Sequence, residues 1–503
     1  MREEDKLDVL LTQEAGELPP PPVVDEAITP WKRAIYRIVW GIGLTTCTLN
    51  VWIVKYLMVA VGTVLLWLGF RALRRENRCF TACWVISLIE AAFQFAGLIL
   101  NATIWVSEQP LSWLSYSGLM LPLIQYICLW QGIIEVRRRA GQPAEARAAG
   151  ALIWFYLVLA AFALLNVQGL IIVGALLVVY ILIMRSLSKF AHLLDEAGYQ
   201  VQPAPVRVSD RSIWITWFAA LLVCISAATL LFSRYPMEWT PRPEGEQAGL
   251  EEIRSHLVEL GMPEQVADDL SAEDLSSLEG ALRVEVEVTE EPFNHGREVR
   301  TITETQSVTY IETHTEYDVK ELKVTNLAVE LPGRQWKIIH HFQWQVQPKY
   351  RTTECIVLWP AARTSIRGYQ MEGTVTGRLL YDKEGTTYLG DYYRLNVEDY
   401  TTDSILWGTT ENQWPMALFS LPLDGENCRG YLTYPMSTLD DGWILDSWMN
   451  YTHQVGFWNY PLMTAEEHEK RGIWNGMGGF QTSQTAIQFF PYPTNKETEE
   501  DPA

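Results

Sequence analysis

One run, Ile213 to Phe232, limits what this chain can fold into more than any other. It is continuously apolar and matches the roughly 20 residues with which an α-helix crosses a hydrocarbon layer about 30 Å thick. Asp210 and Arg211 precede it, and Ser233, Arg234, Tyr235 and Pro236 follow. Similar runs come before it and none comes after, where the chain turns acidic, aromatic and strand-like. The run is therefore expected to be the last membrane crossing, holding a large soluble domain against one face of the bilayer.

Six earlier runs lie at about 34–53, 55–70, 80–101, 112–134, 150–166 and 168–187. With 213–233 they predict an α-helical membrane domain of about seven transmembrane helices. The first two form one long stretch with a polar middle at Thr45, Thr46, Thr48, Asn50 and Lys55. A single helix that long would overshoot the bilayer, so two short helices are expected. Charge supports the split. Lys32, Arg33 and Arg37 precede the first run; Arg71, Arg74, Arg75 and Arg78 follow the second; Arg137, Arg138, Arg139 and Arg147 follow the fourth. Arg185, Lys189, Arg207 and Arg211 surround the segment between the sixth and seventh. The alternate connections are nearly free of base: 102–111 carries only Glu108, and 166–169 is uncharged. Basic loops favour the cytoplasm. Seven crossings put them all there, with the N-terminus cytoplasmic and everything past Arg234 extracytoplasmic. Trp105, Trp113, Trp214 and Tyr235 fall near helix ends, as interfacial aromatic anchors do.

The formal charge of −21 is unevenly spread. Residues 1–234 carry a slight excess of Lys and Arg, so the acidic balance belongs to the C-terminal part. An acidic domain is a poor partner for nucleic acid, which needs clustered Lys and Arg; acidity keeps an exposed domain soluble. Of seven cysteines, Cys47, Cys79, Cys83, Cys128 and Cys224 lie in or beside apolar runs, where cysteine behaves as a small hydrophobe. Cys355 and Cys428 are left as a candidate extracytoplasmic disulfide.

The domain order follows. Residues 1–30 read as a disordered cytoplasmic tail with the polyproline piece Pro19–Pro22 and no signal-peptide pattern. Residues 31–234 are the membrane domain. The segment 188–212 reads as a connector, with helical spacing at Phe190, Leu193 and Leu194 before Gly198, Pro203 and Pro205. Residues 235–249, rich in Pro, Glu and Gly, read as a linker. Residues 250–281 form a small helical unit. Leu250, Ile253, Leu257 and Leu260 share one face, Gly261 is a stop, Pro263 starts a second helix, and Ser271 with Asp274 forms a capping box. Residues 282–493 are a β domain, and 494–503 a disordered tail.

In the β domain the period becomes two. Arg283 to Val288 alternates strictly. At 336–346, Trp336, Ile338, His340, Phe342, Trp344 and Val346 point one way, and Lys337, Ile339, His341, Gln343 and Gln345 the other. Further short runs separated by turn signals, with no helical pattern between them, predict an antiparallel sandwich or jelly-roll-like fold. Residues 442–490 read as less regular.

No HExxH, GxxxxGK[ST], GxSxG or CxxC pattern occurs. Catalysis is therefore the weaker expectation, with no cofactor and no metal. His340 and His341 face opposite sides of one strand and do not chelate together. Glu90 is the most provocative residue, a carboxylate mid-way along an apolar run with Gln94 one turn on. At bilayer depth it must be neutral or face polar partners; Gln94, Gln125 and Thr63 are at matching depth. Pro122 is expected to kink the fourth helix near Gln125. In the β domain, large aromatics near 443–460 suggest a recognition surface, with Trp443, Asp446, Trp448, Asn450, Tyr451, Trp458 and Asn459 as candidates.

Three readings follow. The first is a membrane-anchored sensing or binding protein whose outer β domain recognises an envelope glycan, a peptide or a membrane-protein partner. The second is a transporter or membrane enzyme with its site in the bundle near Glu90. The third is a scaffold subunit of a membrane complex. In all three the lipid bilayer is a partner.

Overall fold

The computed structural model describes residues 29–46, 54–100, 103–106, 112–165, 170–193, 201, 204–205, 207–294, 296–304, 309–360, 362–364, 368–369, 373–404, 408–437, 445–456, 463–471 and 479–489. The chain divides into two compact units: residues 1–98 with 110–222, and 99–109 with 223–503.

The first unit is helical. Its elements are α1 (Pro30–Thr46), α2 (Val54–Leu73), α3 (Arg78–Leu100), α4 (Ser112–Arg139), α5 (Arg147–Leu164), α6 (Leu170–Ser188) and the short α7 (Phe190–Leu193). Helix α8 (Asp210–Phe232) follows. Each apolar run thus contains one of these helices. Among the described residues, four stretches are long and apolar enough to cross a membrane: Tyr56–Leu73, Arg78–Leu100, Ile171–His192 and Asp210–Phe232. Helices α6 and α8 leave large aliphatic side chains uncovered, among them Ile171 at 89 % and Leu230 at 83 % exposed. Bare apolar faces of that extent mark contact with lipid or protein.

The stretch 34–70 is two helices, as its charges required. Helices α1 and α2 lie antiparallel, with Ala34 and Ile38 beside Gly69, and Gly41 beside Gly62 and Leu66. A Cβ on Gly41 would stand 2.6 Å from Leu66 Cγ and 2.9 Å from the Gly62 carbonyl. Small residues let helix backbones approach closely where lipid offers no hydrophobic driving force.

Basic residues gather at one end of this unit. Arg37 meets Asp210 at 2.8 Å. Arg71 pairs with the same carboxylate and donates to the Val208 carbonyl. Arg74 donates to Pro205 O at 3.0 Å, and Arg139 to Glu76 O. The connector after α6 folds back here: Trp31 donates to Phe190 O, and Val201 is buried in the helical core.

The second unit is β-rich. A seven-stranded sheet runs in the order β1 (Thr240–Pro241), β11 (Thr386–Gly390), β10 (Thr376–Lys383), β14 (Glu426–Ser437), β6 (Gln335–Trp344), β5 (Leu322–Leu331) and β2 (Arg283–Glu291). A five-stranded sheet runs β12 (Arg394–Ser404), β13 (Gly408–Phe419), β7 (Glu354–Trp359), β15 (Leu445–Gln454) and β16 (Phe480–Phe489). Both sheets are antiparallel throughout. Two small hairpins are β3 (Arg297–Glu304) with β4 (Thr309–Glu316), and β8 (Ala362–Thr364) with β9 (Gly368–Tyr369).

The two sheets share one core. Trp336, Ile338, Phe342 and Trp344 of β6 meet Ile356, Ala417, Phe419, Tyr451 and Ile487 of the opposite sheet. The period-two reading of β6 holds, except that the strand ends at Trp344 and Val346 is exposed. The other face of β6 carries Ile339, which with Leu327, Val329 and Tyr431 packs under helices α9 (Glu251–Glu259), α10 (Glu264–Asp269) and α11 (Ala272–Ser276). Gly261, at φ 105°, ends α9 in a conformation that glycine adopts without a Cβ penalty. The Ser271 hydroxyl accepts from the Asp274 amide and starts α11.

Two stretches are more ordered than their composition implies. Within 235–249, Thr240 and Pro241 pair with β11, and Gln247 donates to three carbonyls between Ala267 and Leu270. Within 442–490 lie β15, β16 and helix α12 (Ala465–Arg471). The outer face of the five-stranded sheet forms a further cluster: Cys355, Val357, Met416 and Leu418 pack with Tyr235, Ala465 and Phe480. Ile104, from the connection after α3, belongs to that same cluster.

Candidate functional site

The intramembrane polar residues meet. Glu90, Gln94, Gln125 and Thr63 all line one cavity of about 460 Å³ inside the helical unit. Helical spacing explains the meeting. Glu90, Gln94 and Gly97 lie at i, i+4 and i+7 of α3, and Gly118, Pro122 and Gln125 at i, i+4 and i+7 of α4, so each set shares one face. Thr45, Thr46, Tyr126 and Tyr156 complete the polar wall.

Pro122 has a specific consequence. Proline has no N–H, so the carbonyl four residues earlier, on Gly118, loses its helical donor. The Tyr156 hydroxyl donates to that carbonyl at 3.3 Å. Among the described residues, no atom outside the helix's own backbone and the adjacent residues lies within 4 Å of where a Cβ on Gly97 or Gly118 would stand. Elsewhere on the wall, Thr46 Oγ1 and Tyr126 Oη are 3.0 Å apart. The Gln125 amide donates to Ser87 Oγ at 2.8 Å, which fixes the side chain and orients its dipole. Among the described residues, no Lys, Arg or His lines the cavity. A lone carboxylate among hydroxyl and amide dipoles is complementary to a small solute that is cationic or donates hydrogen bonds. Glu90, Gln94 and Gln125 were visible in the sequence as polar breaks in apolar runs. Tyr126 and Tyr156 were not, because only helix-on-helix packing brings them in; Pro122 and the residue four before it were the one available signal.

The β-domain candidates divide differently. Trp443, Trp458 and Asn459 lie outside the described residues. The other four sit on β15 and are engaged within the fold. Trp448 donates to Asp446 at 2.8 Å, Asn450 to Glu469 at 2.5 Å, and Tyr451 is buried and accepts from Trp344 Nε1 at 3.1 Å. Trp336 and Trp344 are core residues, and Trp359 stacks on Trp414 with centroids 6.2 Å apart. Cys355 and Cys428 are both buried and both free, on strands of different sheets. Burial pushes both thiols up, that of Cys428 to about 11.

Several buried charged or titratable groups in this unit have partners within it. Burial would raise Asp269, but hydrogen bonds and charge from His341 and Arg429 hold its carboxyl below the ordinary range. Its contacts are His341 Nε2 at 2.9 Å and Arg429 Nε at 2.9 and 3.1 Å. Asp274 is likewise pushed up by burial and brought below its ordinary value by Tyr431 and Lys337. Glu354 lies 2.8 Å from His453 Nδ1, and there burial wins and raises the carboxyl. His340 faces the core between the sheets, where burial pushes its pKa down to about 3. It is a neutral ring, with Nδ1 2.7 Å from Asn326 Oδ1 and Nε2 2.8 Å from Ser447 Oγ. Asn326 donates through Nδ2 to Ala486 O, so its oxygen accepts from Nδ1–H and Nε2 accepts from the serine. His340 and His341 do face opposite ways. Among the described residues, no three His, Cys, Asp or Glu side chains are grouped to hold a metal. No family model matches the chain, and no curated protein is significantly similar to it.

Proposed function

We propose that this is a multi-pass membrane protein whose helical unit binds, and passes across the bilayer, a small solute that is cationic or donates hydrogen bonds, with Glu90 as its counter-group. The observation that carries this is the cavity that gathers Glu90, Gln94, Gln125 and Thr63 with no basic side chain on its wall among the described residues. The β domain is then an accessory to the helical unit. The proposed topology has seven crossings, a cytoplasmic N-terminus and an extracytoplasmic β domain. Two observations support it: arginines of α1, α2 and α4 make contacts at one end of the helical unit, two of them with Asp210 at the start of α8, and Ile104 of the connection after α3 belongs to the β-rich unit.

The test is chemical modification of the full chain in proteoliposomes by a membrane-permeant carbodiimide, read by peptide mass spectrometry. Glu90 is expected to be modified, and small amines or amino acids to protect it. Modification that none of those solutes slows overturns the proposal.

A further inference from the structure

A second cavity in the helical unit, about 910 Å³, has a different chemistry. It lies between α2, α3, the start of α8 and Pro205, Arg207 and Val208 before it. Arg71, Arg74, Arg75 and Arg207 line it, and no carboxylate among the described residues does. The rest of the wall is aromatic and aliphatic, including Trp84, Trp217 and Ile213. Several donors at this wall have nothing to donate to. Trp67 Nε1, Trp84 Nε1, Trp217 Nε1 and Arg71 Nη1 are buried and make no hydrogen bond among the described residues. Arg71 is only 6 % exposed. Its nearest carboxylate, Asp210, is 3.7 Å from that nitrogen and already bound by Arg37 at 2.8 Å. The Arg74 guanidinium lies 5.2 Å over the Trp84 ring, which holds it at the wall.

Buried donors without acceptors are costly, and four arginines around one space repel one another unless an anion sits between them. An occupant must therefore bring acceptor oxygens and negative charge to the arginine end and an apolar body to the tryptophan end. We infer that this cavity binds one anionic phospholipid, with its phosphate against Arg71, Arg74, Arg75 and Arg207 and an acyl chain along α8. Basic pockets between transmembrane helices on the cytoplasmic side recognise such headgroups. The site is distinct from the Glu90 cavity, and no residue lines both.

The test uses the delipidated full chain in detergent, titrated with short-chain phosphatidylglycerol, phosphatidylcholine or glycerol phosphate and followed by native mass spectrometry. One phosphatidylglycerol is expected to bind at least about tenfold tighter than phosphatidylcholine, and glycerol phosphate far more weakly than either lipid. Arg75 and Arg207 are exposed, so the double variant Arg75→Gln/Arg207→Gln should fold and weaken the anionic lipid by about thirtyfold. Trp84→Phe keeps an aromatic ring, removes one donor and should weaken it about threefold. Equal binding of the two lipids overturns the proposal. So does glycerol phosphate binding as tightly as phosphatidylglycerol, which would make the site one for a soluble anion. Unchanged lipid affinity in both variants would also place the lipid elsewhere.

Discussion

The two units differ in how their buried charged groups are surrounded. In the β-rich unit, Asp269 has Arg429 and His341, Asp274 has Lys337 and Tyr431, and His340 has Asn326 and Ser447. In the helical unit, Glu90 lines a cavity with no basic side chain among the described residues, and at a second cavity four donors lack hydrogen bonds among the described residues. Matched polarity inside a sandwich specifies and stabilises a fold. Unmatched polarity beside a cavity is costly unless something else completes it. On the proposed function, this difference favours a working site in the helical unit over one in the β domain.

The largest effect that would break this contrast is on stability. Arg429→Met leaves the buried Asp269 carboxylate with only His341 and the Gln265 amide among its side-chain partners, and removing one partner of a buried pair costs about 3–5 kcal/mol. Denaturant melts of the full chain in detergent should show that loss. A change below about 1 kcal/mol would mean the β unit does not depend on matched charge.

Acid gives the next effect. The folded-state pKa of His340 is about 3, and an unfolded histidine titrates near 6.5. Between those values the unfolded chain binds a proton that the folded chain does not. The stability due to a neutral His340 is therefore complete above about pH 6.5 and falls by roughly 1.4 kcal/mol per pH unit down to about pH 3. Asp269 and Asp274, both held below their ordinary values, add stability above about pH 4 that is lost as pH falls through their folded values. The pH slope of unfolding between 6.5 and 4.5 should flatten in His340→Phe. An unchanged slope would refute the buried neutral ring.

A smaller effect sharpens the helical side. Among the described residues, no atom outside the helix's own backbone and the adjacent residues lies within 4 Å of a Cβ on Gly97, and a glycine inside a helix costs about 1 kcal/mol relative to alanine. Gly97→Leu should therefore leave stability unchanged or slightly raised while filling the cavity beside Glu90. It should abolish protection of Glu90 by solutes, as read by the carbodiimide assay. Protection at the wild-type level would place the solute elsewhere.

The sequence revealed what depends on local period and missed what depends on distant packing. The period of two in Trp336–Trp344, the capping box at Ser271 and the split of 34–70 by its charges all reappear in the structure. Depth along an apolar run was enough to pair Glu90 with Gln94 and Gln125. Tryptophan richness alone did not mark a binding surface: Trp336 and Trp344 fill the core, because a ring that can stack on a ligand packs equally well inside a sandwich. Strands β15 and β16 were hidden because Asn, His and Gln occupy positions that alternate against polar neighbours such as Glu469. The salt-bridged Asp269 and Arg429 are far apart in the chain, and no spacing rule joins them.

Paired uptake assays test the central claim most directly. Full-length protein, its Glu90→Gln variant and its Trp448→Ala variant would be reconstituted in parallel and assayed for uptake of the amine that best protects Glu90. The account predicts that Glu90→Gln loses uptake at least about tenfold, while Trp448→Ala stays within about twofold of the unaltered chain. Uptake retained without the Glu90 carboxylate, and lost without the Trp448 ring, would contradict it and return the working site to the β domain.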